Sequence, residues 1–221
     1  MNKKIIAFKG SPRVNANSSI MLDNFLQGFD SEKTFVEIID ANDIDVSHCR
    51  GCLRCNLIKR CSNSKDEWTT LSKKILDADI LVFASPVYFH HVTAPLKAII
   101  DRFRSFVSVQ ITETGLIHTP HEEWKKDFVL LHSMGSPDII EANPIVDLFE
   151  FITSILGQEN KLHVINATRL AVPKQILKSE AELELLYDKL NIPKHLAKRD
   201  SIQNQKIIKN CRELCEVCQK R

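Results

Sequence analysis

Five short runs dominated by Ile, Val, Leu and Phe punctuate the chain: Lys4–Phe8, Thr34–Ile39, Ile80–Ala84, Asp127–His132 and Leu162–Asn166. Their apolar positions are nearly continuous rather than alternating, which predicts strands buried on both faces. Between them, apolar residues recur at helical spacing over Ser18–Gly28, Glu67–Asp77, Ala94–Phe106 and Pro144–Leu156. Strand and helix alternate through residue 167, which predicts a parallel, doubly wound α/β sheet with helices on both faces.

With five strands, the natural arrangement is the flavodoxin-like order 2-1-3-4-5. Local chemistry agrees with the boundaries. Asn17 or Ser18 can cap the first helix, Gly28 stands at its C′ position, Pro95 suits the first turn of the third, and Gly157 ends the fourth. Val107–Lys126 is long for a connection and predicts a functional or interface excursion. The pattern divides the chain into a sheet domain over 1–172 and a helical extension over 173–221, with helices at Ser179–Leu190 and His195–Arg221 broken at Pro193.

The 221 residues are 43% hydrophobic and 26% charged, which excludes a wholly disordered or fibrous chain. A net charge of +2 gives no reason to expect binding to nucleic acid or an anionic membrane. Residues 191–221 carry eight Lys/Arg against three acids, so positive charge is concentrated in the tail. The N-terminal apolar run Ile5–Phe8 is too short for a secretory signal, and no stretch reaches the roughly 20 apolar residues of a membrane span. A cytoplasmic location is expected, and seven cysteines there point to ligands, catalytic groups or core fillers rather than disulfides.

Three loops fall at predicted strand carboxyl ends. Gly10–Ser19 (GSPRVNANSS) leads into a helix and offers Ser11, Arg13, Asn17, Ser18 and Ser19 with free backbone N–H groups, an anion cradle suited to phosphate. It is neither a Walker loop nor a GxGxxG loop, and its Ser and Asn also serve as ordinary helix caps. Pro86, Val87, Tyr88 and Phe89 end the third strand with flat apolar surfaces, and Ser133, Met134 and Gly135 end the fourth with small residues. A phosphate site beside two ring-binding loops at the switch of such a sheet indicates a mononucleotide, FMN first.

Cys49, Cys52, Cys55 and Cys61 lie within thirteen residues at C-x2-C-x2-C-x5-C spacing. Zinc sites usually pair two short units across a longer gap, so this compact run favours a cubane iron-sulfur cluster, with a reduced, metal-free loop as the alternative. Arg50, Arg54, Lys59 and Arg60 crowd the same loop and could offset cluster charge or dock an acidic electron carrier. Cys211, Cys215 and Cys218, at i, i+4, i+7, share one helix face, where packing is the simpler reading than ligation of a second cluster.

These residues together resemble the iron-sulfur flavoproteins, a branch of the NADPH-dependent FMN reductase-like group. The resemblance rests on Gly10-Ser11-Pro12-Arg13 with Asn17-Ser18, Cys49–Cys61, Asp66-Glu67, Ala78-Asp79, and Ser85-Pro86-Val87-Tyr88-Phe89 leading to Lys97 and Asp101-Arg102. It covers about residues 1–170. It implies FMN held at its phosphate by Ser11, Arg13, Asn17 and Ser18, with Pro86–Phe89 and Ser133–Gly135 around the isoalloxazine. It further implies a [4Fe-4S] cluster on the four loop cysteines and a homodimer or homotetramer. Ferredoxin or NAD(P)H would be the donor, and oxygen, peroxide or quinones the acceptors. A clusterless NAD(P)H:FMN or quinone reductase and a non-enzymatic redox carrier or sensor are the alternative readings. Ala16 and His90-His91 depart from the family pattern, and no catalytic acid or base is assigned.

Overall fold

The computed structural model describes residues 2–220. Strands β1 (Lys3–Lys9), β2 (Thr34–Asp40) and β3 (Ile80–Pro86) alternate with helices α1 (Asn17–Leu26), α2 (Cys55–Ile58) and α3 (Trp68–Asp77). Helix α4 (Ala94–Arg102) ends in a 3-10 turn, Phe103–Phe106, and leads to the hairpin strands β4 (Val107–Thr112) and β5 (Gly115–Pro120). The chain continues through β6 (Asp127–Ser133), α5 (Asn143–Leu156), β7 (Lys161–Ala167), α6 (Glu180–Lys189) and α7 (Ala197–Gln219).

The main sheet is parallel throughout, in the order β2-β1-β3-β6-β7. With the hairpin set aside, this is the expected flavodoxin-like order. β3 and β6 are buried along almost their whole length, as continuous apolar runs require. β2 and β7 depart from that expectation because they are edge strands, and Phe35 and Ile38 of β2 are exposed. The pleat sends alternate residues into two cores: Ile6, Phe8, Leu81, Phe83, Phe128 and Leu130 meet α3, α4 and α5, while Ile5, Ala7, Val82, Val129 and Leu131 meet α1 and α7. No helix among the described residues is long and apolar enough to cross a membrane.

Several boundaries differ from the sequence reading. Ala16, not Asn17 or Ser18, is the N-cap of α1, and no side chain caps it. The Asn17 amide is drawn away instead, donating to Val172 O at 2.8 Å and accepting from Ile176 N at 3.1 Å. Helix α4 stops at Arg102, four residues short of the predicted end, where the chain tightens before the hairpin. The long Val107–Lys126 connection contains that hairpin, which sequence periodicity did not identify as strands.

The tail is folded onto the sheet domain. Cys211, Cys215 and Cys218 are fully buried on this side of the sheet, Cys211 and Cys215 in the core shared with α1, and burial pushes the Cys211 and Cys215 thiols up to about 12 and about 11. Gly28 matters for its size rather than its backbone freedom: a Cβ there would stand 2.5 Å from Cys215 Sγ. Arg212 fixes the same seam by donating to Asn24 Oδ1 from Nε and Nη2 at 3.0 and 2.7 Å.

Gly28→Ala is expected to force α7 off α1 and destabilise the protein by about 1–3 kcal/mol. Urea midpoints read this loss, and adding Cys215→Ala should recover part of it. His132 is fully buried, with Nδ1 3.2 Å from Asn166 Oδ1, and burial pushes its pKa down to about 4. It is neutral when folded but takes a proton near 6.5 when unfolded. Its contribution is therefore intact above about pH 6.5 and declines by up to ~3 kcal/mol as pH falls toward 4. Comparing stability across that window with His132→Gln should show a flatter profile in the variant.

Candidate functional site

The carboxyl ends of β1, β3 and β6 open onto one cavity of about 240 Å³. Ser11, Arg13 and Asn17 line it from the first loop, Pro86, Val87 and Tyr88 from the second, and Ser133, Met134 and Gly135 from the third. The three predicted loops therefore do converge. Ser18 lies outside the lining: its hydroxyl is buried and has no partner among the described residues. Ser19 and Phe89 do not line it either, and Phe89 projects fully into solvent.

Gly10 makes the first loop's approach possible. Its N–H donates to Ala84 O at 2.8 Å, its carbonyl accepts from Thr93 Oγ1 at 2.6 Å, and a Cβ would stand 2.8 Å from Leu96 Cδ2. Arg13 is exposed, with Nη1 donating to Ala171 O at 2.9 Å. The second loop is a tight turn in which Tyr88 and His91 exchange backbone bonds of 2.8 and 3.0 Å. Phe89 and His90 at its tip take φ of 47° and 62°, a left-handed conformation that costs a non-glycine residue of the order of 1 kcal/mol. The His91 imidazole is pushed below its usual pKa by burial and then by Lys97.

Leu170, Ala171 and Pro173 complete the wall, and sequence reasoning did not select them. The only available signal was that they follow a strand carboxyl end. Asn17 and Arg13 reach across to hold this segment, so part of their hydrogen-bonding capacity is already used within the chain.

A second cavity, of about 570 Å³, is lined by all four loop cysteines with Arg50, Arg54, Arg102, Arg104 and Lys65. Gly51, Leu53 and Lys59 each take φ near 60°, and these left-handed turns wind the loop around the short helix α2. Gly51 has open space where a Cβ would sit, so its backbone angle is what calls for glycine. Arg102 Nη2 is 3.3 Å from Cys61 Sγ and Arg104 Nη1 is 3.3 Å from Cys55 Sγ. Burial raises the pKa of Cys55, whereas the Arg54 backbone N–H and the Ser62 hydroxyl lower that of exposed Cys52.

Two clasps shape this cavity. Arg102 and Asp66 form a buried ion pair, with Nη1 2.6 Å from Oδ2, and Arg102 also donates to Ser47 O at 2.8 Å. Burial opposes ionisation of Asp66, but Arg102 and the Ser47 hydroxyl outweigh it and hold the carboxyl below its usual range. On the other side, Asn56 exchanges two 3.0 Å bonds with the backbone of Val109, pinning α2 to the hairpin. Asn42 Nδ2 donates to Ser11 O at 3.1 Å, joining the segment after β2 to the first cavity's loop.

The two cavities offer different chemistry. The first offers a hydroxyl, a guanidinium and a helix start at one end and flat apolar surface at the other. The second offers four thiols and cationic side chains, the donor set that an anionic thiolate-bound cluster would need.

Residues 3–158 match the sequence profile of the family described as NADPH-dependent FMN reductase. An iron-sulfur flavoprotein of Archaeoglobus fulgidus is 33% identical over 99 residues, which is 45% of this chain and 44% of that protein. Another, of Methanocaldococcus jannaschii, is 34% identical over 101 residues, 46% of this chain and 52% of that one. The matches thus span about half the length of these relatives. In fold, the chain resembles an FMN-dependent NADH-azoreductase of Bacillus anthracis, solved in complex with FMN, with a TM-score of 0.59 at 14% identity over 97% of this chain and 100% of that one. With the family profile running from β1 to the end of α5, this chain belongs to the NADPH-dependent FMN reductase family.

Proposed function

We propose that the chain is an iron-sulfur flavoprotein, an oxidoreductase that binds FMN in the cavity at β1, β3 and β6 and a [4Fe-4S] cluster in the four-cysteine cavity. The observation that carries this reading is the convergence of Cys49, Cys52, Cys55 and Cys61 on one cation-lined cavity, in a chain whose sheet edge also forms a nucleotide-type cleft. The names of the two archaeal relatives and the FMN of the azoreductase neighbour support it.

FMN supplies the exchange between two-electron and one-electron chemistry, and a cluster passes electrons singly. The residues of this chain bind and orient. Ser11, Arg13 and the backbone N–H groups at the start of α1 hold a phosphate, with Ser18 and Ser19 behind them in the same turn. Pro86, Val87, Tyr88 and the Ser133–Gly135 loop flank a ring, with Phe89 at the exposed rim. Arg102 and Arg104 reduce the charge on the thiolates they touch. Reduced ferredoxin or NAD(P)H is the proposed donor, and oxygen, peroxide or a quinone the acceptor. A homodimer or homotetramer in the cytoplasm is the proposed working form.

Anaerobic purification should yield about four iron atoms, matching acid-labile sulfide, and one FMN per chain. FMN without iron would replace this reading with a clusterless flavin or quinone reductase. Cofactor retention without NAD(P)H oxidation or acceptor turnover would leave a redox carrier. Cys52→Ser should abolish the cluster while FMN stays bound, and full iron content in that variant would overturn the ligand assignment. Arg13→Ala should weaken FMN binding by about 1.5–3 kcal/mol, tenfold or more, and unchanged affinity in a fluorescence titration would remove Arg13 from the phosphate site.

A further inference from the structure

The first cavity lies at the carboxyl ends of the strands. At the opposite edge of the sheet, three ligand-type side chains meet that the proposed function does not use. Asp127 opens β6 and His163 is the third residue of β7. Strand alternation puts Asp127 on the face of Val129 and Leu131, and His163 on the face of Ile165, the side covered by α1 and α7. Cys218, fully buried, lies in the last turn of α7 on the same side. One ligand atom from each of the three lies within 4.8 Å of the other two, and His163 Nε2 stands 2.7 Å from Asp127 Oδ1.

The donor set decides which ion suits this place. A carboxylate, an imidazole and a thiolate together match zinc, a borderline cation that accepts all three. Calcium and magnesium select oxygen shells, and cubane clusters take sets of cysteines. In a tetrahedral zinc site with bonds of about 2.1 Å to N and O and about 2.3 Å to S, neighbouring ligand atoms stand about 3.4–3.6 Å apart. All three ligand atoms lie within 4.8 Å of one another, and the His163–Asp127 pair, at 2.7 Å, is closer than that spacing and must open to admit an ion. Asp127 is buried, but His163 keeps 17% side-chain exposure, which gives an ion and a fourth, water ligand a route in.

We propose that Asp127, His163 and Cys218 form a zinc site that ties the end of α7 to the amino-terminal edge of the sheet. Binding replaces the Cys218 thiol proton and the His163–Asp127 hydrogen bond by bonds to the metal: the thiol proton goes to solvent, the imidazole ligates in the tautomer that carries its proton on Nδ1, and no electron moves. Among the C-terminal cysteines, Cys211 and Cys215 pack against α1 and Cys218 ligates.

The test is zinc titration of the purified full-length protein against a chromophoric chelator, with elemental analysis after dialysis. The proposal expects one zinc per chain, a zinc-dependent rise in Tm, and retention of both in Cys52→Ser. His163→Gln, Asp127→Asn and Cys218→Ser should each weaken binding at least tenfold and remove the Tm rise. His163→Gln, at a half-buried position, keeps the test valid if the Cys218 variant fails to fold. Absence of bound zinc in the wild-type protein, zinc binding unchanged in His163→Gln and Asp127→Asn, or zinc lost only with Cys52→Ser would each overturn it. The last result would put the ion in the cysteine-rich loop.

Discussion

The cysteine-rich loop depends on one buried ion pair. Arg102 and Asp66 are both almost completely shielded from water, and neither charge could remain there without the other. The pair does more than neutralise itself. Asp66 also accepts from the Ser47 hydroxyl and the Asn63 amide, while Arg102 reaches Ser47 O and Cys61 Sγ and stacks over Trp68. The two ends of a long irregular segment are thus brought to one point on α4. Asn56 and Arg104 fasten its middle to the hairpin and to the 3-10 turn before it. Thiols spread along thirteen residues line one cavity because both clasps hold.

The flavin-type cavity rests on a different constraint, the close approach of three parallel strands at their carboxyl ends. Gly10 lets the first loop run against β3 and α4 without a side chain between them. The segment after β7 then crosses to α1, where Asn17 bonds it. Ordering the wall of this cavity is therefore a long-range matter, joining residues more than 150 positions apart. The tail takes part indirectly, since Asn204 of α7 donates to Gln175 O in the same segment.

The parts of this architecture that were legible in sequence are those that depend on local period and local composition. Nearly continuous apolar runs at 4–8, 80–84 and 127–132 identified the central strands, and the cysteine spacing identified the loop. The edge strands read as fully buried because periodicity reports apolar content and not what covers it. The hairpin went unrecognised because Val107–Thr112 and Gly115–Pro120 mix exposed Ile and Leu with polar residues, without the usual Asn-Gly turn. Asn17 looked like a cap because nothing local reveals a partner at Val172 or Ile176. Nor can sequence show that a left-handed turn aims Phe89 outward into solvent.

Arg102 touches both its structural partner and a cysteine, so one guanidinium carries two duties. The carboxylate of Asp66 and the sulfur of Cys61 meet on the same side chain, which also holds Ser47 O. Anything that displaces this guanidinium must therefore loosen the closure of the loop and move its last thiol together. The spacing of the four sulfurs and the fold of the segment that carries them cannot vary independently.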